Sequence, residues 1–78
     1  MAMRRYAARG GESGVVAYDT GPGWIRVGFA DGAVYRYTDA SAGAEAIVRM
    51  QALAKQGRGL STFISQVVKR GYDRRSGP

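Results

Sequence analysis

Arginine and aromatic residues alternate in the short stretch from Trp24 to Tyr37, and this pattern is the strongest chemical signal in the sequence. Trp24 and Arg26 stand two residues apart, and Arg36 lies between Tyr35 and Tyr37. A guanidinium binds phosphate or carboxylate through a fork of N–H donors, and aromatic rings stack on exposed nucleobases. A ring beside two guanidiniums therefore suits a phosphate or a base. The alternative is that the tyrosines complete the hydrophobic face of a sheet and the arginines lie on its solvated face.

Four further basic residues flank a glycine turn and the end of the helix predicted after it: Lys55, Arg58, Lys69 and Arg70. The helix that begins after Gly59 would present free backbone N–H groups, which form a general anion site. The segment lacks the Gly-Lys-Ser/Thr of a nucleotide-binding phosphate loop. A DNA-reading helix-turn-helix also fits the spacing, although the second helix contains few side chains that read bases.

Residue types that catalyse reactions are scarce in this 78-residue chain. It contains no histidine and no cysteine, which removes the usual general base, the usual zinc ligand and any disulfide. No two carboxylates have the spacing of a general acid–base pair, and Asp31 and Asp39 suit a turn and a helix cap. We therefore expect a protein without enzymatic activity, without a metal ion and without a cofactor.

Basic residues are concentrated at the two ends of the chain. The formal net charge is +6, from 12 Lys+Arg against 6 Asp+Glu. Residues 1–9 carry a charge of +3, residues 10–54 carry −2 and residues 55–78 carry +5. Basic ends favour an anionic partner, either nucleic acid, with RNA favoured, or an acidic protein surface. A high arginine content is equally typical of GC-rich genomes, and basic ends can also keep a small protein soluble.

The length predicts one small domain with basic ends. A chain of 78 residues is near the lower limit of what folds alone, so a homodimer is one way to gain stability. No apolar run is long enough to span a membrane, and the N-terminus lacks the apolar part of a secretory signal, so we expect a cytoplasmic bacterial protein. The predicted boundaries are a flexible arm at 1–13, a folded domain at 14–72 and a basic tail at 73–78.

The order of elements predicts an α+β fold of the type βββαα. Runs of β-forming residues at 14–19, 24–30 and 33–38 are separated by glycine turns, which predicts a three-stranded antiparallel meander. A helix capped by Asp39 or Ser41 runs to about Gln56, and a second helix capped by Ser61 runs to Arg70. Both helices should pack on one face of the sheet. The apolar stripe of the second helix comprises Leu60, Phe63, Ile64, Val67 and Val68.

The turn at residues 30–32 determines which face of the hairpin each side chain occupies. A two-residue loop would turn Arg36 into the core. A three-residue loop with a left-handed glycine puts Tyr35 and Tyr37 on the apolar face and both Arg26 and Arg36 on the outer face. Because only the second register buries a uniformly apolar face, we predict that one. The predicted pairs are Val27 with Tyr35 and Ile25 with Tyr37.

Taken in order, these features resemble the KTSC domain, a small bacterial domain named after the C-terminus of some lysyl-tRNA synthetases that also occurs alone. The resemblance covers about residues 13–72. It consists of the opening strand at 14–19, the central Tyr35-Arg36-Tyr37, the Gly57-Arg58-Gly59 turn before a helix, and Tyr72 near the end. RNA binding is what the association of this domain with a tRNA synthetase implies.

The chain departs from the KTSC pattern in two places. After Tyr37 the family has a hydrophobic residue followed by proline, whereas this chain has residues 38–41, Thr-Asp-Ala-Ser. The family also has an aromatic residue directly after the basic turn, and here residues 60–63, Leu-Ser-Thr-Phe, take its place.

We expect a small binding module that recognises RNA or another single-stranded nucleic acid through arginine-rich surfaces. The alternative is a protein-binding adaptor, or an inhibitor of the kind that phages and mobile elements encode against host machines such as CRISPR complexes. Exposed Trp24 and Val34 on the outer sheet face would favour the second hypothesis, because aromatic residues and arginine anchor protein interfaces. The candidate binding residues are Trp24, Arg26, Tyr35, Arg36, Tyr37, Lys55, Arg58, Lys69 and Arg70.

Overall fold

A five-stranded antiparallel sheet and a helical layer on one of its faces form the fold in the computed structural model, which describes residues 3–7 and 14–77. The strands lie side by side in chain order. They are β1 (Arg4–Arg5), β2 (Val15–Gly21), β3 (Trp24–Phe29), β4 (Val34–Thr38) and β5 (Arg74–Ser76). The helices α1 (Asp39–Ala42), α2 (Ala44–Gln56) and α3 (Leu60–Phe63), with a π-helical turn (Ile64–Val68), lie between β4 and β5 in the chain.

The central hairpin has the predicted register. Val27 pairs with Tyr35 and Ile25 with Tyr37, while Arg26 pairs with Arg36 on the other face. The loop spans residues 30–32 and is closed by the Phe29 N–H, which donates to the Ala33 carbonyl at 2.8 Å. Gly32 has a φ of 94°, a conformation that glycine adopts without steric cost. The hairpin therefore presents one apolar face to the helices and both arginines to the outer face.

The number of strands and the place of the helices differ from the predicted βββαα order, although the α+β class is confirmed. The segments predicted as a basic arm and a basic tail supply the two edge strands: Arg4 and Arg5 pair with β2, and β5 pairs with β4. A strand at the edge of a sheet can leave its charged side chains in water while its backbone pairs on one side. The remainder of the predicted arm, residues 8–13, lies outside the described residues.

Tyr6 anchors the N-terminal strand to the core. Its side chain is 3% exposed, and its hydroxyl accepts a hydrogen bond from the Leu60 N–H at 3.2 Å. The Tyr6 N–H donates to the Val16 carbonyl at 2.9 Å, which continues the pairing of β1 with β2. The burial of this ring explains why a segment rich in arginine folds onto the sheet.

The helix predicted after β4 is divided at Gly43 into α1 and α2. Thr38 caps α1, not Asp39 or Ser41: the Thr38 hydroxyl accepts from the Ser41 N–H, and the Ser41 hydroxyl accepts from the Thr38 N–H. This reciprocal pair is a capping box, in which serine takes the position usually filled by Glu or Gln. Gly43 has a φ of 96°, which ends α1 after one turn.

The second predicted helix also differs from the expectation. Gly59 occupies the cap position of α3 without a side-chain hydrogen bond, so Ser61 is not the cap. After four residues the chain forms a π-helical turn, which ends at Val68 with Lys69 as its C-cap, rather than at Arg70. The wider turn changes the period of the buried face, so Ile64 and Val68 are buried while Val67 is 58% exposed.

The hydrophobic core lies between the inner face of the sheet and the helices. Gln51 of α2 ties the helix to the sheet, because its amide donates to the carbonyls of Gly21 and Trp24, both at 2.9 Å. The outer face of the sheet carries no helix in the described part of the chain. The largest fully buried side chains are Tyr37, Ile25, Ile47, Met50, Leu60, Val15 and Val27.

We predict that Tyr6→Phe lowers the free energy of unfolding by about 1–3 kcal/mol, because the buried Leu60 N–H loses its acceptor. Equilibrium unfolding in urea measures this change. Tyr18→Phe is the matched control, since Tyr18 is also buried but its hydroxyl makes no hydrogen bond within the described residues. If the two substitutions lower the free energy of unfolding equally, the hydrogen bond between Tyr6 and Leu60 does not stabilise the fold.

Candidate binding surfaces

The structure separates the nine predicted site residues into three surfaces. Trp24, Arg26 and Arg36 lie together on the outer face of the sheet. Tyr35, Tyr37, Lys69 and Arg70 line a groove between the sheet and the π-helical turn, here called the aromatic groove. Lys55 and Arg58 form the third surface, at the end of α2 and in the following turn. They line neither the outer-face site nor the aromatic groove.

Four aromatic rings form one wall of the aromatic groove. The ring of Tyr35 packs edge-to-face against Phe29 at 5.4 Å and against Tyr72 at 4.8 Å between centroids. Tyr72 also contacts Tyr37, at 6.3 Å. Perpendicular aromatic contacts of this kind fix the ring planes, because the positive edge of one ring meets the negative face of the next. Tyr35 and Tyr72 are partly exposed, so a ligand in the groove would meet ordered rings.

The opposite wall of the aromatic groove carries two cations without a counter-charge. Lys69 and Arg70 are exposed, and neither forms an ion pair with any residue in 3–7 or 14–77. Asp31 also lines the groove, and its Oδ1 accepts from the Ala33 N–H at 2.9 Å. Ile64 and Ser65 complete a cavity of about 500 Å³. Its volume lies in the range of pockets that hold small molecules.

A strained backbone positions Lys69. Its φ is 49°, which makes it the one residue other than glycine with a positive φ in the described part of the chain. Its N–H donates to the Ile64 carbonyl at 2.6 Å, the bond that closes the π-helical turn. Both π-helical turns and strained residues recur at functional sites, where they direct a side chain that a regular helix would place elsewhere. Here they end the helix beside the aromatic wall.

Arg75 of β5 extends the aromatic groove beyond Tyr35. Its Nε donates to the Tyr35 hydroxyl at 2.9 Å, and its guanidinium lies 5.5 Å from the centre of the Tyr35 ring. This contact raises the pKa of Arg75. Burial, with a smaller effect of Tyr35 and Tyr72, raises the pKa of Tyr37 to about 12, so its hydroxyl is uncharged at neutral pH. The groove therefore has the neutral Tyr37 ring at its base, and the carboxylate of Asp31 lies among its cations.

The arginines of the outer face are cross-strand neighbours, as predicted, but each is held by a carboxylate. Arg26 Nη2 donates to Asp19 Oδ2 at 2.7 Å. Arg36 forms a two-bond fork with Asp73, at 3.0 and 2.7 Å, which raises the pKa of Arg36 and lowers that of Asp73. These pairs offset the charges of Arg26 and Arg36, whereas Arg74 of β5, which lines a pocket with both, forms no ion pair in the described part of the chain.

Trp24 covers part of the outer face. Its ring lies against Gly21, where a Cβ would collide with it, and the Arg26 guanidinium lies 5.7 Å from the ring centre. Arg26 Nε is buried there and has no acceptor in the described part of the chain. Trp24 is thus half-buried, and the Arg26 guanidinium lies over its ring. Less of the ring is therefore available to a ligand than the sequence suggests.

The anion site expected at the start of the second helix stays a prediction, although one of its backbone N–H groups already has an acceptor. The Leu60 N–H donates to the Tyr6 hydroxyl, and the Phe63 N–H donates to the Gly59 carbonyl at 3.0 Å. The helix is also only one turn long before the π-helical turn begins.

Sequence reasoning missed several residues that shape these surfaces: Asp19, Phe29, Tyr72, Asp73 and Arg75. Asp19 could be found from the sequence, because hairpin pairing of the first two predicted strands sets it opposite Arg26. Asp73 and Arg75 reach these surfaces because the chain returns to the edge of the sheet as β5. No local sequence pattern predicts that strand.

No family model, no curated protein and no solved structure matches the chain. The resemblance to the KTSC domain therefore stays a prediction. Within residues 3–7 and 14–77, no cluster of three or more metal-ligating side chains is present. None of the helices in the same residues has the length and hydropathy needed to cross a membrane.

We predict that stability falls between about pH 10 and pH 12 through Tyr37. Its pKa is raised in the folded state, so its neutral form stabilises the fold fully below the unfolded pKa of about 10, and this contribution is lost as the pH rises towards 12. Urea unfolding at a series of pH values measures the loss. Tyr37→Phe should reduce the slope in this range, and an unchanged slope would show that Tyr37 is not the group responsible.

Proposed function

We propose that the protein is a non-enzymatic module that binds single-stranded nucleic acid, with RNA as the favoured ligand, in the aromatic groove. The observation that supports this proposal best is the juxtaposition of ordered tyrosine rings with two unpaired cations, Lys69 and Arg70. RNA is favoured over DNA because of the sequence resemblance to the KTSC domain.

The two walls of the groove match the two halves of a nucleotide. A base can stack on the exposed part of an aromatic ring, and such stacking tolerates any base because each has a π-face. Lys69 and Arg70, which line the same groove, would contact the phosphates beside that base. A duplex keeps its bases stacked inside, so a groove with one aromatic wall favours a single strand.

The outer face supports nucleic-acid binding less well than the groove. Arg26 and Arg36 would have to exchange the carboxylates of Asp19 and Asp73 for phosphates, and the displaced carboxylates would repel the ligand. Lys69 and Arg70 would give up only water. Lys69 and Arg70 in the groove are therefore more favourable for phosphate binding than Arg26 and Arg36 on the outer face.

We predict that Lys69→Gln/Arg70→Gln weakens binding of a short uridine oligonucleotide and lowers its salt dependence. Each phosphate contact on a single strand contributes about 0.7 to the slope of log K against log salt, so the loss of two contacts should reduce the slope by about 1.4. Fluorescence anisotropy of a labelled oligonucleotide, titrated at several salt concentrations, measures both quantities.

Lys55→Gln/Arg58→Gln is the matched control, because it removes the same charge at positions outside the groove. Equal losses in the two double variants would mean that the chain binds anions through net charge alone, which contradicts the proposal. Tyr72→Leu, which removes the ring, should also weaken binding, whereas Tyr72→Phe should not.

A protein-binding adaptor or inhibitor, of the kind phages direct against host machines such as CRISPR complexes, is the second candidate function. The uncovered outer face favours it, because Arg26 and Arg36 are paired with carboxylates there and a half-buried Trp24 and Val34 lie beside them. Trp24 is the only tryptophan of the chain, so its emission reports on this face. Oligonucleotide binding in the groove leaves that emission unchanged, whereas a ligand on the outer face shifts it.

A further inference from the structure

The side of α2 that faces away from the sheet carries an apolar stripe that no described residue covers. Ala44, Val48 and Ala52 follow one another at intervals of four residues and line a shallow depression. Val48 is 67% exposed, which makes it one of three large hydrophobic side chains exposed within the described residues. A lone exposed valine needs no explanation, but a continuous stripe on a helix indicates an interaction surface.

A second apolar depression lies beside this stripe, between α2 and the segment formed by α3 and the π-helical turn. Ala46, Phe63 and Val67 line it, with a volume of about 680 Å³. Val67 is exposed because the π-helical turn rotates it out of the core. The stripe and this depression therefore form one patch, here called the α2 patch.

Two opposite charges cross the α2 patch. Glu45 and Arg49 are one helical turn apart and border both depressions. They are exposed, and neither forms an ion pair with the other or with another described residue. Along α2 the acid Glu45 comes one turn before the base Arg49. When a second copy of α2 lies antiparallel to the first, Glu45 of each copy is therefore opposite Arg49 of the other.

We propose that two copies of this chain associate through the α2 patch, with their α2 helices antiparallel about a two-fold axis. Glu45 of each copy pairs with Arg49 of the other, and Val48 of each copy enters the depression beside Phe63 and Val67 of the other. The alanines at 44 and 52 let the helices approach closely. A copy of the same chain is the occupant that the charges favour, because a two-fold contact satisfies both pairs at once.

Analytical ultracentrifugation of the full chain over a range of concentrations tests the association. The wild type should approach twice the chain mass of 8.4 kDa as its concentration rises. Val48→Glu should raise the dissociation constant by more than about tenfold, since it would bury an unpaired carboxylate in the contact. Val16→Glu is the matched control, because Val16 is also exposed but lies on the sheet.

Charge reversal distinguishes this antiparallel contact from any other. Glu45→Arg and Arg49→Glu should each abolish self-association, because each puts like charges opposite one another. An equimolar mixture of these two variants should form a mixed dimer, since every contact then joins opposite charges. The double variant Glu45→Arg/Arg49→Glu should dimerise as the wild type does.

Circular dichroism establishes that each variant is folded, which is expected because every changed side chain is exposed. A wild type that stays monomeric at its highest soluble concentration would overturn the proposal. So would charge-reversed variants that dimerise alone, or whose mixture does not dimerise. None of these outcomes depends on nucleic-acid binding, because the aromatic groove and the α2 patch share no residues.

Discussion

The register between β3 and β4 is the constraint on which the rest of the structure depends. A three-residue turn pairs Val27 with Tyr35, so the apolar side chains of the hairpin face the helices. A shift of one residue would place Arg36 opposite Val27 and turn its guanidinium into the core. Burying a guanidinium without its carboxylate has a large free-energy cost, which disfavours the shifted register. The turn and the hydrophobic pattern therefore specify the same arrangement.

The aromatic groove depends on this register and on the return of the chain to the sheet. After the π-helical turn, the Asp73 N–H donates to the Arg36 carbonyl at 2.8 Å, and the Asp73 side chain accepts from the Arg36 guanidinium. These contacts align β5 with β4 and set Tyr72 against Tyr35. Arg36 thus connects the two faces: its side chain holds the strand that completes the groove on the opposite side.

The sequence allowed prediction of the elements that are determined locally. Alternation and the turn glycine were sufficient for the register and for the position of Arg26 beside Arg36. They were insufficient for β1 and β5, because strands of two or three residues, mostly arginine, have no apolar period and form by pairing with distant segments. The π-helical turn also left no signal in the helical pattern, so the exposure of Val67 and the position of Lys69 could not be foreseen.

The sequence alone could not separate the carboxylate-paired arginines of the outer face from the unpaired cations of the aromatic groove. Counting cations weights Arg26 and Arg36 as heavily as Lys69 and Arg70, whereas the carboxylates of Asp19 and Asp73 offset the first pair and not the second. The π-helical turn then separates the two proposed surfaces, since Val67 lines the α2 patch and Lys69 lines the aromatic groove. A regular helix would continue the buried stripe through Val67, so one local departure from helical geometry makes both surfaces available.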